Sequence, residues 1–274
     1  MMSDDRLAHD LAAEAGRLLL ELRAGGGEPD SLRKAGDRQS HEFLAARLAR
    51  LRPADAVLSE EGRDDAARLT ADRVWIVDPL DGTREFGEAG RTDWAVHVAL
   101  CERGELTAGA VALPAQGKVL STVQPPGADA AAGVRAVPAF GAVPAAVVPA
   151  AAGPPAVPAD LRFVVSRTRP PDFIKLLASQ VGASLLPMGS AGAKAAAVIC
   201  GEADAYIHSG GQYEWDSAAP VAVARAAGLH ASRIDGSKLA YNQEHPSLPD
   251  ILICLASLAG PLLSAIGSAA SASE

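Results

Sequence analysis

The run Val74-Trp75-Ile76-Val77-Asp78-Pro79-Leu80-Asp81-Gly82-Thr83 decides how the rest of the chain is read. Its four consecutive large apolar residues describe a buried strand, which runs directly into two carboxylates three residues apart. Pro79 fixes its own φ and pushes Asp78 out of the helical region, so the spacing predicts a turn at the strand end, with Gly82-Thr83 opening a helix. Two like charges on one turn repel, and a bound cation relieves them. The competing reading is an ordinary surface turn, since Asp and Gly favour turns for reasons of their own backbone. Upstream, Ser59-Glu60-Glu61 follows the short apolar segment Ala56-Val57-Leu58; downstream, Trp215-Asp216-Ser217-Ala218-Ala219 starts a small-residue helix. Acid groups gathered from three strand or helix ends suggest a site for hard divalent metal ions.

Around that run the chain alternates helices and strands. Leu7, Leu11, Ala15, Leu18 and Leu22 predict a helix over 4–24, and Phe43, Leu44, Leu48 and Leu51 a second over 38–51. Trp94, Val96, Val98 and Leu100 alternate as a strand, returned through Glu102-Arg103-Gly104-Glu105 by Leu106 to Leu113. Residues 121–160 are rich in Ala, Pro, Gly and Val and read as short edge strands and loops. Beyond them come a strand at Phe163-Val164-Val165, a helix over 170–181, a strand over 184–187, a helix over 190–200, a strand from Ala203 to His208, a helix over 217–227 and a strand over 251–255. No charge occurs from Ile251 to Ala272, nearly a membrane-spanning length, but Gly260-Pro261 interrupts it and weakly apolar residues fill its second half, which favours a strand and a short surface helix.

The blocks Ser59-Glu60-Glu61, Trp75-Ile76-Val77-Asp78-Pro79-Leu80-Asp81-Gly82-Thr83-Arg84-Glu85-Phe86 and Trp215-Asp216-Ser217-Ala218-Ala219-Pro220 together resemble, in order and spacing, the inositol monophosphatase superfamily of Mg-dependent, lithium-sensitive phosphatases. The resemblance covers roughly residues 5–255. It implies a layered α-β-α-β-α sandwich of the sugar phosphatase type, α+β in residues 1–160, which carry the metals, and α/β in residues 161–274, which recognise substrate. It also implies that one metal is held by Glu60, Asp78 and the backbone carbonyl of Leu80, and a second by Asp78, Asp81 and Asp216, with Asp78 bridging. Oxygen-only ligation selects Mg2+ or Mn2+ over zinc, and two such ions can clamp a phosphate ester. Glu61 either supports that site from behind or is solvated.

By the same resemblance Thr83 positions the attacking water together with Asp37, and Glu60 shares in the catalysis. The family usually has Thr three residues before that Asp; this chain has Lys34, which weakens the case for a third metal. The alternative for Asp37 is a helix N-cap. A helix opening at Gly82 would turn free N–H groups toward the substrate phosphate, alongside Leu80, Asp81, Thr83 and Asp216. Ser166-Arg167-Thr168-Arg169 follows a strand, where an α/β sheet exposes its ligand loops, and Arg167 is the candidate for gripping a second phosphate. Gly189, Ser190 and Lys194 open the next helix and complete the candidate substrate set. Both segments are similar to those of the superfamily's bisphosphate nucleotidase branch, although that branch often has Ser-Arg-Ser-His here. The resemblance therefore implies removal of the 3′-phosphate from 3′-phosphoadenosine 5′-phosphate, and from the related 3′-phosphoadenylyl sulfate, in the service of sulfate assimilation. Inositol-1-phosphate and fructose-1,6-bisphosphate are the alternative substrates, and a silent metal- or nucleotide-binding protein is the alternative of another class.

Bulk properties fit a small-molecule enzyme. The 274 residues hold 49% apolar residues, enough for a substantial core. Lys+Arg 25 against Asp+Glu 33 gives a net charge of −8, which argues against non-specific nucleic-acid or anionic-membrane binding. Cys101, Cys200 and Cys254 are separated and set in apolar surroundings, as expected of reduced thiols in a cytoplasmic protein. The N-terminus lacks the plan of a signal peptide. A homodimer is expected from the resemblance alone. His9, His41, His97, His208, His230 and His245 form no ligand spacing, and no role is assigned to them.

Overall fold

The computed structural model describes residues 2–126 and 160–271. Helix α1 (Asp4–Ala24) is capped by the Ser3 hydroxyl, which accepts from the Arg6 amide, and Asp4 and Asp5 sit against its positive end. Helix α2 (Pro29–Leu51) begins nine residues before the first residue predicted for it. Pro29 presets the first turn and the Glu28 carboxylate caps the Ser31 amide, so the polar stretch from Ser31 to Arg38 is helical without an apolar stripe to announce it. Asp37 is thus interior to α2, and the N-cap reading of it falls.

Strand β1 (Ala56–Ser59) pairs in parallel with β2 (Arg73–Asp81), which pairs antiparallel with β3 (Ala95–Glu102). The predicted turn after Val77 does not form: β2 runs on through Asp78-Pro79-Leu80-Asp81. Its register against β3 slips between Asp78 and Asp81, a β-bulge, and a bulge is where a sheet tolerates a proline that has no N–H to give. A one-turn helix α3 (Thr83–Gly87) follows, entered through Gly82 at φ +87°. Arg103 and Gly104, both at positive φ, turn β3 into β4 (Glu105–Leu113), and β5 (Lys118–Ser121) closes a sheet of order β1-β2-β3-β4-β5.

The second sheet has the order β7-β6-β8-β10-β9, built from β6 (Arg162–Ser166), β7 (Ser184–Met188), β8 (Ala205–Tyr213), β9 (His230–Ser232) and β10 (Ser247–Cys254). Its helices are α4 (Asp172–Val181), α5 (Ala191–Ile199), α6 (Glu214–Ala226) and α7 (Ala259–Ser271). Strands β8 and β10 are longer than expected and β9 was not foreseen. Helix α6 starts three residues early because the Asp216 carboxylate accepts from the Tyr213 amide and caps it from within. No helix of the described residues is long and apolar enough to cross a membrane. Most of the stretch expected to carry short edge strands, residues 127–159, lies outside the described residues; the division expected at 160 borders it.

Three apolar clusters define the layers. Trp75, Val77, Val96 and Val98 face α1 and α2, while the alternate residues Val74, Ile76, Ala95 and Ala99 face α5 and α6. The other face of α5 and α6 meets Val164, Tyr206, Ile251 and Ile253 of the second sheet, whose far side is covered by α4 and α7. The order is α-β-α-β-α, as the resemblance implies. The middle helices belong to the C-terminal half yet pack on the N-terminal sheet, so the halves share a core. Between β4 and α6 a Cβ on Gly109 would lie 2.6 Å from the Ala222 methyl. Gly109→Val should therefore lower the thermal midpoint through a loss of roughly 1–3 kcal/mol of stability, with Gly109→Ala milder. An unchanged midpoint for both would show that α6 does not seat on β4 this closely.

Candidate active site

The bulge of β2 delivers Asp78 and Asp81, and the first turn of α6 delivers Asp216. One carboxylate oxygen from each lies within 4.8 Å of the others. Asp78 and Asp81 are buried and Asp216 is half-buried. Glu60, one residue past β1, is exposed along its length, but its carboxyl reaches Asp78 and hydrogen-bonds with it. Burial pushes Asp78 well above the usual carboxylate range, with the charges of Glu60, Asp81 and Asp216 adding to it. Burial of its carboxyl end, then the Asp216 charge, raises Glu60 to about 7. Asp216 rises to about 6, again through burial and then the Asp81 charge, against the Tyr213 amide, His97 and Lys194.

Asp81 goes the other way. Burial would raise it, but His97, the charge of Lys194 and the Ser190 hydroxyl outweigh that and bring it down to about 2. Its Oδ2 accepts from Ser190 Oγ at 2.5 Å and from the Gly192 amide at 2.7 Å. His97 Nε2 stands 3.2 Å from the same oxygen, an ion pair rather than an aligned hydrogen bond. His97 Nδ1 donates to the Trp215 carbonyl at 3.0 Å, so the ring ties β3 to the turn that carries Asp216. Burial lowers the His97 pKa, and the Asp81 carboxylate more than restores it. A Cβ on Gly192 would sit 2.1 Å from His97 Nε2, which is why glycine stands there. The hydrogen bonds that Asp81 and Asp216 accept from Ser190, Gly192 and Tyr213 all go to Oδ2. An all-oxygen donor set with excess negative charge fits a hard divalent cation.

Thr83 Oγ1 lies 3.1 Å from Asp37 Oδ1 and 3.0 Å from the Leu80 carbonyl. Two glycines make this approach possible: a Cβ on Gly36 would lie 2.8 Å from both Leu80 and the Phe86 ring, and Gly82 itself faces Ser190 and Asp93. Asp37 is raised to about 6, by burial first, against the Thr83 hydrogen bond and with help from the Glu61 charge. Glu61 is exposed. Because α3 has a single turn, the amides at Gly82-Thr83 have no macrodipole behind them.

Beside the acids opens a cleft of about 220 Å³, lined from one half by Asp81 to Glu85 and from the other by Ser166 to Arg169, Gly189, Ser190, Lys194, His208 and Gln212. The predicted substrate residues line this cleft except Leu80, which is buried beside it, but several already have partners. Arg167 donates to Glu85 at 2.7 Å and to Glu88 at 2.8 Å. Buried Lys194 donates to the carbonyls of Gly189 at 2.6 Å and Ser190 at 2.8 Å. The Gly189 amide donates to Asp93 at 2.6 Å, and the Ser166 hydroxyl accepts from the Arg169 amide.

Two features escaped sequence reasoning. His97 left a faint signal, a polar residue on the inward side of an otherwise apolar strand. The other is a clasp between the halves. Buried Arg68, in a 3-10 turn between β1 and β2, donates to Asp64, to Asn242 Oδ1 at 2.8 Å and to the Gln243 carbonyl at 2.9 Å. The Asn242 and Gln243 amides in turn donate to Glu214, the first residue of α6. The end of α6 that bears Asp216 is thereby fixed to the half that bears Asp78, and nothing in sequence spacing announces it.

Residues 5–262 match the model of the inositol monophosphatase family. A Mycobacterium bovis protein named 3′-phosphoadenosine 5′-phosphate phosphatase is 50% identical over 93% of this chain and 90% of its own length. A Shigella flexneri 3′(2′),5′-bisphosphate nucleotidase CysQ is 30% identical over 84% and 91%. Among solved structures, CysQ from Bacteroides thetaiotaomicron superimposes with a TM-score of 0.70 at 26% identity, covering 92% of this chain and 97% of that one. Staphylococcal IMPase-II, at 19% identity over 99% and 97%, shares the fold with a TM-score of 0.73.

The raised carboxyls set a pH dependence. Glu60 at about 7 and Asp216 at about 6 keep protons in the cation-free folded state that ordinary carboxyls near 4 release when unfolded. Cation-free stability should therefore fall as pH climbs from about 4 to about 7. A hard divalent cation should raise the thermal midpoint more at about pH 8 than at about pH 5, as followed by calorimetry. Equal shifts at both would contradict cation binding by these acids.

Proposed function

The chain belongs to the inositol monophosphatase family, and from that premise we propose that it is a metal-dependent phosphomonoesterase removing the 3′-phosphate of 3′-phosphoadenosine 5′-phosphate, with 3′-phosphoadenylyl sulfate as a further substrate. The observation that carries the chemistry is the convergence of Asp78, Asp81 and Asp216 within 4.8 Å beside an open cleft. The substrate assignment is supported by the names of the relatives at 50% and 30% identity.

In this reading Mg2+, for which Mn2+ could substitute, would be held by Glu60, Asp78 and the Leu80 carbonyl in one position and by Asp78, Asp81 and Asp216 in another. When bound it supplies a Lewis acid that lowers the pKa of water and offsets phosphate charge. The protein groups do the positioning. Thr83 Oγ1, held between Asp37 and the Leu80 carbonyl, orients the attacking water, and the water's proton passes along that bond to Asp37 as the water oxygen bonds to phosphorus. The bond from phosphorus to the ribose 3′-oxygen breaks, and the departing oxygen takes a proton from solvent. Glu60 shares in the catalysis as a further acid of the cluster. The Gly82 and Thr83 amides steady the phosphate oxygens, and the Ser190 hydroxyl and the Gly192 amide hold Asp81 in place. Two metal positions suffice for these roles, which suits Lys34 standing where the family has Thr. The reading includes a cytoplasmic location in the recycling of a sulfate-assimilation by-product, supported by three free cysteines of which Cys101 and Cys254 are buried. Homodimer formation rests on the family resemblance alone.

Asp81→Asn should cut kcat/KM by roughly a thousandfold or more, since a metal ligand contributes several kcal/mol at about 1.4 kcal/mol per decade. Circular dichroism checks that the variant folds; full activity in a folded variant would remove Asp81 from the site. With the unaltered protein, kcat/KM should favour adenosine 3′,5′-bisphosphate over inositol-1-phosphate and fructose-1,6-bisphosphate by at least about tenfold. A tenfold preference for either of those would overturn the substrate assignment. No turnover of any of them with Mg2+ or Mn2+ would favour a silent binding protein.

A further inference from the structure

The cleft has four full cations in its lining, and they are not equivalent. Arg167 bridges two carboxylates, Glu85 and Glu88, so its charge is already matched and its fork already filled. Lys194 is 5% exposed and satisfies two backbone carbonyls. Arg84, the second residue of α3, and Arg169, in the loop after β6, are both exposed, and among the described residues neither guanidinium has a hydrogen bond or an ion pair. They approach the cleft from opposite halves of the molecule. Arg169 Nη1 leans toward the bare backbone of Gly211, 3.9 Å from where a Cβ would be.

The inner wall excludes an anion. His208 Nε2 lies 2.8 Å from the Gly210 carbonyl, an acceptor, so Nε2 carries the hydrogen. Nδ1 is then a bare lone pair, buried and without a partner among the described residues, and the Gln212 amide oxygen on the same wall is likewise buried and unpartnered among them. Burial, and next the Lys194 charge, hold the His208 pKa down to about 4, so it adds no positive charge. An anion is repelled by two lone pairs and by the acids on the cleft floor; only the side bearing Arg84 and Arg169 attracts it. A phosphate that escapes bidentate capture by Arg167 can still take both forks of these two.

We propose that Arg84 and Arg169, rather than Arg167, hold the phosphate that is not cleaved and so make the enzyme selective for a bisphosphate. Arg167 is a positioning residue that ties α3 to the loop after β6. This rests on the proposed nucleotidase reading, and the comparison that tests it keeps the two apart. Adenosine 3′,5′-bisphosphate and adenosine 3′-monophosphate share the cleaved phosphate and the leaving group, and differ only in the second phosphate. The ratio of their kcat/KM values is measured with Mg2+ for the unaltered protein, for Arg84→Gln/Arg169→Gln, for Arg169→Lys and for Arg167→Gln. In the double variant the ratio should fall by roughly tenfold to a hundredfold, the loss lying in KM, as for charge-assisted hydrogen bonds removed from one substrate only. Arg169→Lys, which keeps the charge without the fork, should fall between. Arg167→Gln should lower turnover of both substrates together and leave the ratio within about threefold. A ratio preserved in the double variant, or collapsed by Arg167→Gln instead, overturns the proposal. Failure of the unaltered protein to hydrolyse the bisphosphate overturns the nucleotidase reading and the proposal with it.

Discussion

Crowding of like charge in a space with little water is the constraint from which the rest of this structure follows. At 4.8 Å and an effective dielectric of about 20, each pair of ionised carboxylates repels by about 3 kcal/mol. The chain answers this unevenly. Asp81 is given a histidine, a hydroxyl, an amide and the field of a buried lysine, and stays ionised. Asp78 is given the Leu80 amide and otherwise only other acids. An arrangement that fully compensates one carboxylate and leaves its neighbour three residues away exposed to repulsion is not built to be stable alone. It is built to be completed from outside, by positive charge, at the point where Asp78 faces Glu60, Asp81 and Asp216.

Holding that arrangement requires backbone from four elements within a few ångströms, and the fold spends glycine to achieve it. Gly36 lets α2 approach Leu80 and Phe86, Gly82 takes the left-handed turn after the bulge, Gly189 leaves room for Glu85, and Gly192 leaves room for His97. Gly109 lets α6 sink onto β4, and the Arg68–Asn242–Glu214 clasp then fixes the end of α6 where Asp216 is needed. The middle helical layer couples the two: because α5 and α6 are packed between both sheets, their N-terminal ends cannot shift without disturbing either core. Precision in the site is thus inherited from the layering.

How much of this could be read from sequence depended on the range of the interaction. The carboxylates and Thr83 sit in short contiguous blocks, so their spacing spoke for itself, and the layered architecture was expected from the family those blocks resemble. The errors were local contests lost by periodicity. Pro79 suggested a turn, but a bulge accepts proline equally well, and pairing with β3 on both sides kept the strand going. The first half of α2 has no apolar stripe, and its start depended on a Pro and a capping Glu. His97, Gly192 and the Arg68 clasp were invisible for a different reason. Their partners lie 16, 111 and 174 residues away in the chain, and only the finished topology places them face to face.

Arg167 shows why catalytic chemistry was more legible than selectivity. A metal ligand has few acceptable surroundings, so its residue type and position nearly determine its use. An arginine beside a cleft has many, and its use depends on who else is nearby. Glu85 and Glu88 arrive from α3 and the residue after it, outside any pattern that Ser166-Arg167-Thr168-Arg169 presents, and they convert the obvious phosphate ligand into a strut between the halves. Among the described residues the same neighbours leave Arg84 with no partner although it adjoins Glu85, because helical geometry points adjacent side chains apart. Selectivity in this cleft is therefore a matter of which charges remain after the internal pairs have formed.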